Sequence, residues 1–429
     1  MSNATKWALA SLSSSILLSS LGISIANVAL PTFAQAFSAS FQQVQWVVLA
    51  YLLAITTLIV SVGRLGDLIG RRRLLLGGIA LFTLASAVCA VAPTLSVLIA
   101  ARAAQGLGAA VMTALTLAFV GETVPKEKTG SAMGLLGTMS AVGTALGPSL
   151  GGILIATHGW PSIFFVNLPL GLLTLLLTWR WLPADGSSKS ERFDHLGTLL
   201  FALTLAAYAL AMTLNIALLL VAMIGAALFV LVERKATAPL IRLAMLRDRV
   251  RSAGFATSAL VTTVVMATLV VGPFYLSGAL GLDAARVGLV LAAGPVVAAL
   301  TGVPAGRIID RFGTRRTVIG GLVAMAIGAS LLATAPVSVA AYVAPLVVLT
   351  AGYALFQAAN NTAVMTDVRA DQRGVISGML NLSRNLGLIT GASLMGAVFV
   401  AAGMRMTFIV AVGMIAIAFA IHPRETATA

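Results

Sequence analysis

Gly63-Arg64-Leu65-Gly66-Asp67-Leu68-Ile69-Gly70-Arg71-Arg72-Arg73 is a knot of charge between two apolar runs, in a chain of which only 9% is charged. The pattern returns as Gly306-Arg307-Ile308-Ile309-Asp310-Arg311-Phe312-Gly313-Thr314-Arg315-Arg316. Gly63, Arg64, Asp67, Gly70, Arg72 and Arg73 match Gly306, Arg307, Asp310, Gly313, Arg315 and Arg316 at one constant offset, 306 − 63 = 243 residues. Matches at a single offset point to duplication of one half of the chain.

Composition names the solvent. The 429 residues are 59% hydrophobic, with a mean hydropathy of +1.03. Soluble domains are about 25% charged and need far less apolar sequence. The apolar runs here are continuous over about 20 residues, the length of a helix that crosses hydrocarbon. A β-barrel would instead alternate apolar and polar residues in segments of about 10. The expected class is an all-α integral membrane protein whose chief partner is the lipid bilayer. The net charge of +14 then reflects the bias of Lys and Arg toward cytoplasmic loops, and no nucleic-acid partner is expected. One cysteine, Cys89, and three histidines exclude an intramolecular disulfide and make a metal centre or other cofactor unexpected; Cys89 reads as a small buried hydrophobe. Lys6 and the apolar stretch that runs to Pro31 have no clear small-residue cleavage site. They read as a retained first span rather than a signal peptide.

Fourteen candidate spans lie near 7–30, 44–62, 74–93, 97–120, 130–155, 162–181, 196–213, 216–232, 252–278, 286–305, 317–334, 338–364, 374–399 and 405–421. An even count puts both termini on one side. With the N-terminus inside, the loops at 63–73, 121–129, 183–195, 233–251, 306–316 and 365–373 are cytoplasmic. Of the 27 Lys and Arg, only Arg102, Arg286, Arg384 and Arg405 then fall outside cytoplasmic loops, tails and helix ends. That asymmetry sets the orientation, with both termini cytoplasmic in the inner membrane. Residues 1–182 are expected to form one six-helix bundle and 252–429 the other. Between them, 183–251 holds a polar linker, two inserted spans and a basic cytoplasmic loop. The linker is expected to be flexible. The basic loop is either an interfacial helix against anionic lipid or an ordinary positive-inside loop.

The twin charged loops have two readings: they set topology, or they hold two bundles closed on the inner side. A carboxylate at Asp67 caps a neighbouring helix N-terminus or pairs with arginine in the second. The gate residues are then Gly63, Arg64, Asp67, Gly70, Arg71, Arg72 and Glu122 in the first half, with Gly306, Asp310 and Arg315 in the second. Arg102 lies about 8 Å below the outer end of its span, at 1.5 Å per residue. It shares a face with Gln105, Ala109, Thr113 and Thr116, a polar stripe expected to line a cavity; the alternative is that Arg102 snorkels to the outer headgroups. Arg384 lies near mid-membrane between Asn381 and Asn385. Gln357, Asn360 and Asn361 cluster one span earlier, and Asn27, Gln45 and Tyr51 are the first-half candidates. These groups either bind substrate or bond neighbouring helices together. Gly143, Gly147 and Gly151 recur every four residues, with Pro148 and Gly152 beside them. They make a face for close helix approach and a bend.

The charged loop resembles the signature loop of the major facilitator superfamily. Leu98-Ile99-Ala100-Ala101-Arg102-Ala103-Ala104-Gln105-Gly106-Leu107-Gly108 resembles its fourth-helix motif, and Gly143-Thr144-Ala145-Leu146-Gly147-Pro148-Ser149-Leu150-Gly151-Gly152 its fifth-helix antiporter motif. Gly159-Trp160 with Phe164-Phe165-Val166-Asn167-Leu168-Pro169, Val44-Gln45-Trp46-Val47-Val48-Leu49-Ala50-Tyr51 and Ala26-Asn27-Val28-Ala29-Leu30-Pro31 resemble the fourteen-span drug:proton antiporters. The resemblance implies alternating access by two six-helix bundles and export of small organic molecules against protons by a functional monomer. It gives Arg102 a part in proton coupling and implies no enzymatic activity.

One position departs from that branch. The helix-one aspartate expected five residues before Asn27 is Gly22. All thirteen acids fall in loops, tails or helix ends. Three accounts follow: coupling through an end-placed acid such as Glu122 or Asp283, uncoupled facilitation, or a substrate that brings the charge itself. Arg102 and Arg384 without acid partners favour an anionic or zwitterionic substrate.

Overall fold

The computed structural model describes residues 3–59, 61–124, 129–185, 195–236, 248–366 and 373–422. Regular structure among them is helical. The first bundle contains α1 (Asn3–Val28), a short α2 (Leu30–Ala36), α3 (Phe41–Ile59), α4 (Val62–Ile69), α5 (Arg71–Ala90), α6 (Leu95–Thr123), α7 (Thr129–His158), α8 (Ser162–Phe165) and α9 (Asn167–Trp181). Then come α10 (His195–Thr213) and α11 (Leu218–Lys235). The second half contains α12 (Arg249–Gly278), α13 (Ala284–Phe312), α14 (Thr314–Thr334), α15 (Val339–Met365), α16 (Arg373–Thr390) and α17 (Gly396–Ile421), with a π-helical turn at Gly391–Met395 between the last two.

Two units result: Met1–Leu240 with Leu282–Ala292, and Ile241–Gly281 with Ala293–Ala429. Within each, the duplication seen in the charged loops reappears as shared local geometry. Gly70 (φ 96°) and Gly313 (φ 80°) are both left-handed and both open a helix. A side chain with a Cβ is strained there, which is why this turn needs glycine. Thr94 caps α6 by accepting from the Val97 N–H at 3.3 Å, and Ser338 caps α15 by accepting from the Ala341 N–H at 3.2 Å. A Cβ on Gly108 would fall 2.6 Å from the Gly78 carbonyl, and one on Gly352 would fall 2.7 Å from the Gly321 carbonyl. Each pair therefore joins α5 to α6, or α14 to α15, by backbone contact that any larger residue would block.

The fifth-helix glycines close on α1. A Cβ at Gly143 would meet the Leu17 carbonyl at 2.6 Å, and one at Gly151 would meet Ile25 and Val28 at 2.9 Å. Pro148 sits inside α7 between these two contacts. In the second unit Gly387 and Gly391 approach α12 in the same way, at the carbonyls of Ala259 and Thr263. The π turn begins at Gly391. Both long helices thus carry a local break in their hydrogen-bond ladder at the point of closest approach, one from a missing N–H and one from a wide turn.

Among the described residues, eleven stretches are long and apolar enough to cross a membrane. One of them, Gly378–Ile421, has 44 residues. At 1.5 Å per residue that is about twice a hydrocarbon core of roughly 30 Å, and the helix breaks within it at Gly403 (φ 72°, ψ −176°). The inserted helices α10 and α11 form a hairpin on α3 within the first unit. Asn215 turns it, with its Oδ1 accepting from the Ala217 N–H at 3.0 Å. Phe201 and Phe229 pack at 5.4 Å, and Ser61 bonds Thr198 at 3.0 Å. Leu203, Leu214, Leu220, Met223 and Ile224 point outward, each more than half exposed, as side chains facing lipid do.

Candidate functional site

Arg102 is the largest fully buried side chain in the chain's described part, with no exposed surface. The snorkelling alternative is therefore excluded in this conformation. A guanidinium brought into an apolar bundle needs its donors satisfied. Its Nε donates to the Val47 carbonyl of α3 at 3.0 Å, and one Nη donates to the Gly22 carbonyl of α1 at 3.0 Å and to Gln105 Oε1 one turn along α6. The plane lies 4.2 Å from the Tyr51 ring centre, a cation–π contact. The other Nη has no hydrogen-bond partner. Gln105 in turn donates from Nε2 to Ser86 Oγ at 2.7 Å, and Ser86 Oγ donates to the Phe82 carbonyl at 2.7 Å. Tyr51 donates to the Ser19 carbonyl at 3.2 Å. Cys89 lies within electrostatic reach of the guanidinium and is buried and free, as its apolar run suggested.

Four helices thus converge on one cation with no carboxylate among its described partners. Gly22 explains part of this. Position 22 offers the guanidinium a backbone carbonyl and no side chain. The Phe82 ring lies 2.9 Å from where a Cβ at position 22 would sit. The stripe along α6 is not an open lining here: Gln105, Ala109 and Thr116 are fully buried. Thr113, half-buried, shares a hydrogen bond with Ser19 at 2.9 Å.

The other first-half candidates are buried as well. Asn27 donates to the Ile23 carbonyl at 3.3 Å and its Oδ1 is unpartnered. Gln45 is buried in α3. Asn167 is fully buried with neither amide atom bonded. Nearby in sequence, Trp160 and Phe164 pack on Phe33 at 5.6 and 6.2 Å. In the second unit, Asn360 donates to the Gly254 carbonyl at 3.0 Å, which makes it a tie between α15 and α12. Gln357 donates to Asn361 at 3.0 Å and keeps its own carbonyl oxygen free. Asn381, Arg384 and Asn385 are half-buried on α16, and Arg384 Nε has no hydrogen-bond partner. One offset of 244 residues, that of Thr94 and Ser338, pairs Thr113 with Gln357 and Thr116 with Asn360. It pairs Arg102 with Leu346, so the buried cation belongs to the first half alone.

The charged loop of the first half contains a contact that sequence reading missed. Asp185 accepts from the backbone N–H of Arg72 at 2.7 Å and of Arg73 at 3.1 Å. A carboxylate at these first N–H groups satisfies orphan donors and complements the helix dipole. Arg72 also donates to the Trp179 carbonyl. The end of α9 is thereby fastened to the start of α5. The sequence placed Asp185 in a flexible linker, of which residues 186–194 lie outside the described set. A cap 113 residues away leaves no local signature; the only hint was that Gly70 offers α5 no side-chain cap of its own. The side chains of Arg64, Asp67 and Glu122, and all of the 237–247 loop, also lie outside the described residues.

In the second loop Asp310 is exposed, and a Cβ at Gly306 would meet nothing within 4 Å. Burial, and after it the charge of nearby Arg315, lowers the pKa of His422 at the end of α17. Asp283 is exposed; it caps α13 by accepting from the Arg286 N–H at 2.8 Å and pairs with Arg286 at 3.4 Å. That is an ordinary helix start rather than an intramembrane acid. Glu233, expected in a loop, instead occupies the last turn of α11 and is buried. Gly152 meets the first turns of α13, with a Cβ position 3.0 Å from Gly288 Cα, inside the first unit.

A bundle of membrane-length helices with duplicated halves and a buried cation is the architecture of a membrane carrier. The Major Facilitator Superfamily pattern matches residues 12–234 and 252–427, and the chain belongs to that superfamily. Multidrug resistance protein Stp of Mycobacterium tuberculosis is 34% identical over 389 residues, which are 88% of this chain and 72% of that protein. The riboflavin transporter RibZ of Clostridioides difficile is 32% identical over 395 residues, 90% of this chain and 86% of that one. Among solved structures, the partially occluded inward-open xylose transporter XylE of Escherichia coli superposes with a TM-score of 0.70 at 13% identity, covering both chains completely. That likeness confirms the fold and says nothing of substrate.

Proposed function

We propose that this protein exports small organic molecules across the inner membrane by alternating access, in exchange for protons. Relatives named for multidrug resistance and drug efflux support export. Fourteen spans are part of the proposal. The eleven apolar stretches become twelve when the chain turns back at Gly403, and α10 and α11 add two. Both termini then lie in the cytoplasm, with the basic loops. Arg102, Tyr51, Gln105, Asn27, Gln45 and Thr113 serve the path in the first half. Gln357, Asn360, Asn361, Asn381, Arg384 and Asn385 serve it in the second. The charged loops form the inner gate.

The observation that carries the proposal is the enclosed Arg102, with its one unpartnered Nη. A residue placed only for packing would not bring a fixed charge into the bundle. A guanidinium holds its proton, however, so the titrating group in the exchange is a different one. Reconstitution in proteoliposomes with a pH-sensitive dye tests the coupling. Substrate added to one side should drive proton movement. Accumulation of substrate with no pH change overturns antiport and leaves uncoupled facilitation.

That no carboxylate stands among the described partners of Arg102 favours a second statement, that the substrate is anionic or zwitterionic. Arg102→Gln and Arg384→Ala should each depress transport of acidic compounds far more than of neutral ones. Equal loss for both classes removes the anionic preference.

A further inference from the structure

The hairpin of α10 and α11 has an open groove at the end where both helices meet the charged side of the protein. Its volume is about 400 Å³, and it is lined by Leu196, Leu228, Leu231, Val232, Lys235 and Ala236. Five of the six are apolar. Leu196, Leu228 and Leu231 remain 56%, 47% and 54% exposed, so nothing in the chain's described part covers them. Lys235 closes one end, and Arg234 stands beside it; both are exposed. The chain leaves helical geometry just beyond Lys235, at Ala236 (ψ 131°).

We propose that this groove is a binding site for a single anionic diacyl phospholipid. One acyl chain lies along Leu228, Leu231 and Leu196, and the phosphate meets Lys235 and Arg234. The placement of the two chemistries supports this occupant over others. The groove is aliphatic where the hairpin faces hydrocarbon, and it becomes cationic in the last turn of α11, at the depth of lipid phosphates. A water-soluble partner would have to reach the aliphatic part from within the bilayer. Two adjacent cations favour a headgroup with net negative charge over a zwitterionic one. The site would bind the inserted hairpin to a lipid on its outer side, as α3 holds it on the inner side. It depends on membrane embedding, which the superfamily assignment carries, and not on the direction or coupling of transport.

The test uses the purified full-length protein with phosphatidylglycerol and phosphatidylcholine of identical acyl chains, competing in equal amounts. Bound lipid is read by native mass spectrometry. A diazirine on the acyl chain of the phosphatidylglycerol maps the contact. Cross-links should fall on Leu228, Leu231 or Leu196. The preference for phosphatidylglycerol should drop on the order of fivefold in Lys235→Gln, and again in Arg234→Gln/Lys235→Gln, since each basic side chain near the surface contributes about that factor. Leu228→Trp, which fills the groove and leaves both charges, should remove the groove cross-links. These positions are exposed, so an unchanged melting temperature is expected for each variant. Cross-links that stay outside the hairpin, or a lipid preference unchanged in the double variant, overturn the proposal. Displacement of the lipid by glycerol phosphate overturns it too, in favour of a free-phosphate site. Efficient dimer formation through Leu228→Cys in the absence of added lipid assigns the groove to a second copy instead.

Discussion

A guanidinium enclosed among helices is tolerable only while its donors are met. Arg102 meets all but one Nη with the carbonyls of Val47 and Gly22 and the amide oxygen of Gln105, and lays its plane on the face of Tyr51. Lysine has the charge but neither the fork nor the plane. Arg102→Lys should therefore cost about 2 kcal/mol, the value of a desolvated cation–π contact, read as a lower melting temperature in detergent. A variant as stable as the wild type would show that the stack contributes nothing. The presence of a buried charge was legible from Arg102 in an apolar run. Its partners were not, because Val47 and Gly22 contribute backbone carbonyls that every residue has. His422 illustrates the same limit. Burial first, and the nearby charge of Arg315 second, hold its pKa below the ordinary 6.5. The unfolded chain then binds more protons than the folded one just below that value, so stability rises with pH across the window. The neutral ring's contribution is complete above pH 6.5 and is lost as pH falls beneath it. His422→Gln should flatten the melting temperature between pH 5 and 7, which a pH series on both proteins checks.

At the scale of elements, the start of α5 depends on a residue from the end of α9. Asp185 caps the helix whose own N-cap, Gly70, has no side chain to offer. Asp185→Ala should destabilise by about 0.5–2 kcal/mol, the range for a lost N-cap, and Asp185→Asn should recover most of it through its remaining carbonyl oxygen. Thermal unfolding of the two variants separates these outcomes. Equal destabilisation would mean that charge, not capping, holds the contact. The helices themselves were largely legible: continuous apolar runs of about 20 residues, interrupted by the charged turns at Gly70 and Gly313, mark where helices lie. The close approaches were half legible. Gly143, Gly147 and Gly151 announced a small-residue face, whose partner α1 appears only in the fold. The matching face on α16 and the π turn after it were not anticipated, because Gly387, Gly391 and Gly396 follow a shifted offset of 244 residues from Gly143, Gly147 and Gly152.

For the whole molecule, fourteen spans require the two termini to share a side and the Leu214–Asn215 turn to lie opposite them. Replacing Cys89 by Ser and placing single cysteines at Ser2, Asn215 and Ala429 tests this with a membrane-impermeant thiol reagent on intact cells. Asn215→Cys should label, while Ser2→Cys and Ala429→Cys should not until the cells are opened. Labelling of one terminus and not the other would remove the even count. What the sequence determined by itself is the solvent, the helical class, the duplication and the superfamily, because each is written in composition, run length and spacing along the chain. Only the tertiary structure decided that Arg102 faces carbonyls instead of an acid, that Asp185 is a cap instead of linker, and that the hairpin of α10 and α11 lies on α3 through α10. Those outcomes depend on contacts between residues tens to more than a hundred positions apart, often through backbone atoms. The opening motif shows both sides of this division: Gly70 and Gly313 could be matched on sight, but their shared left-handed turn, and the distant carboxylate that fastens the first of them, required the fold.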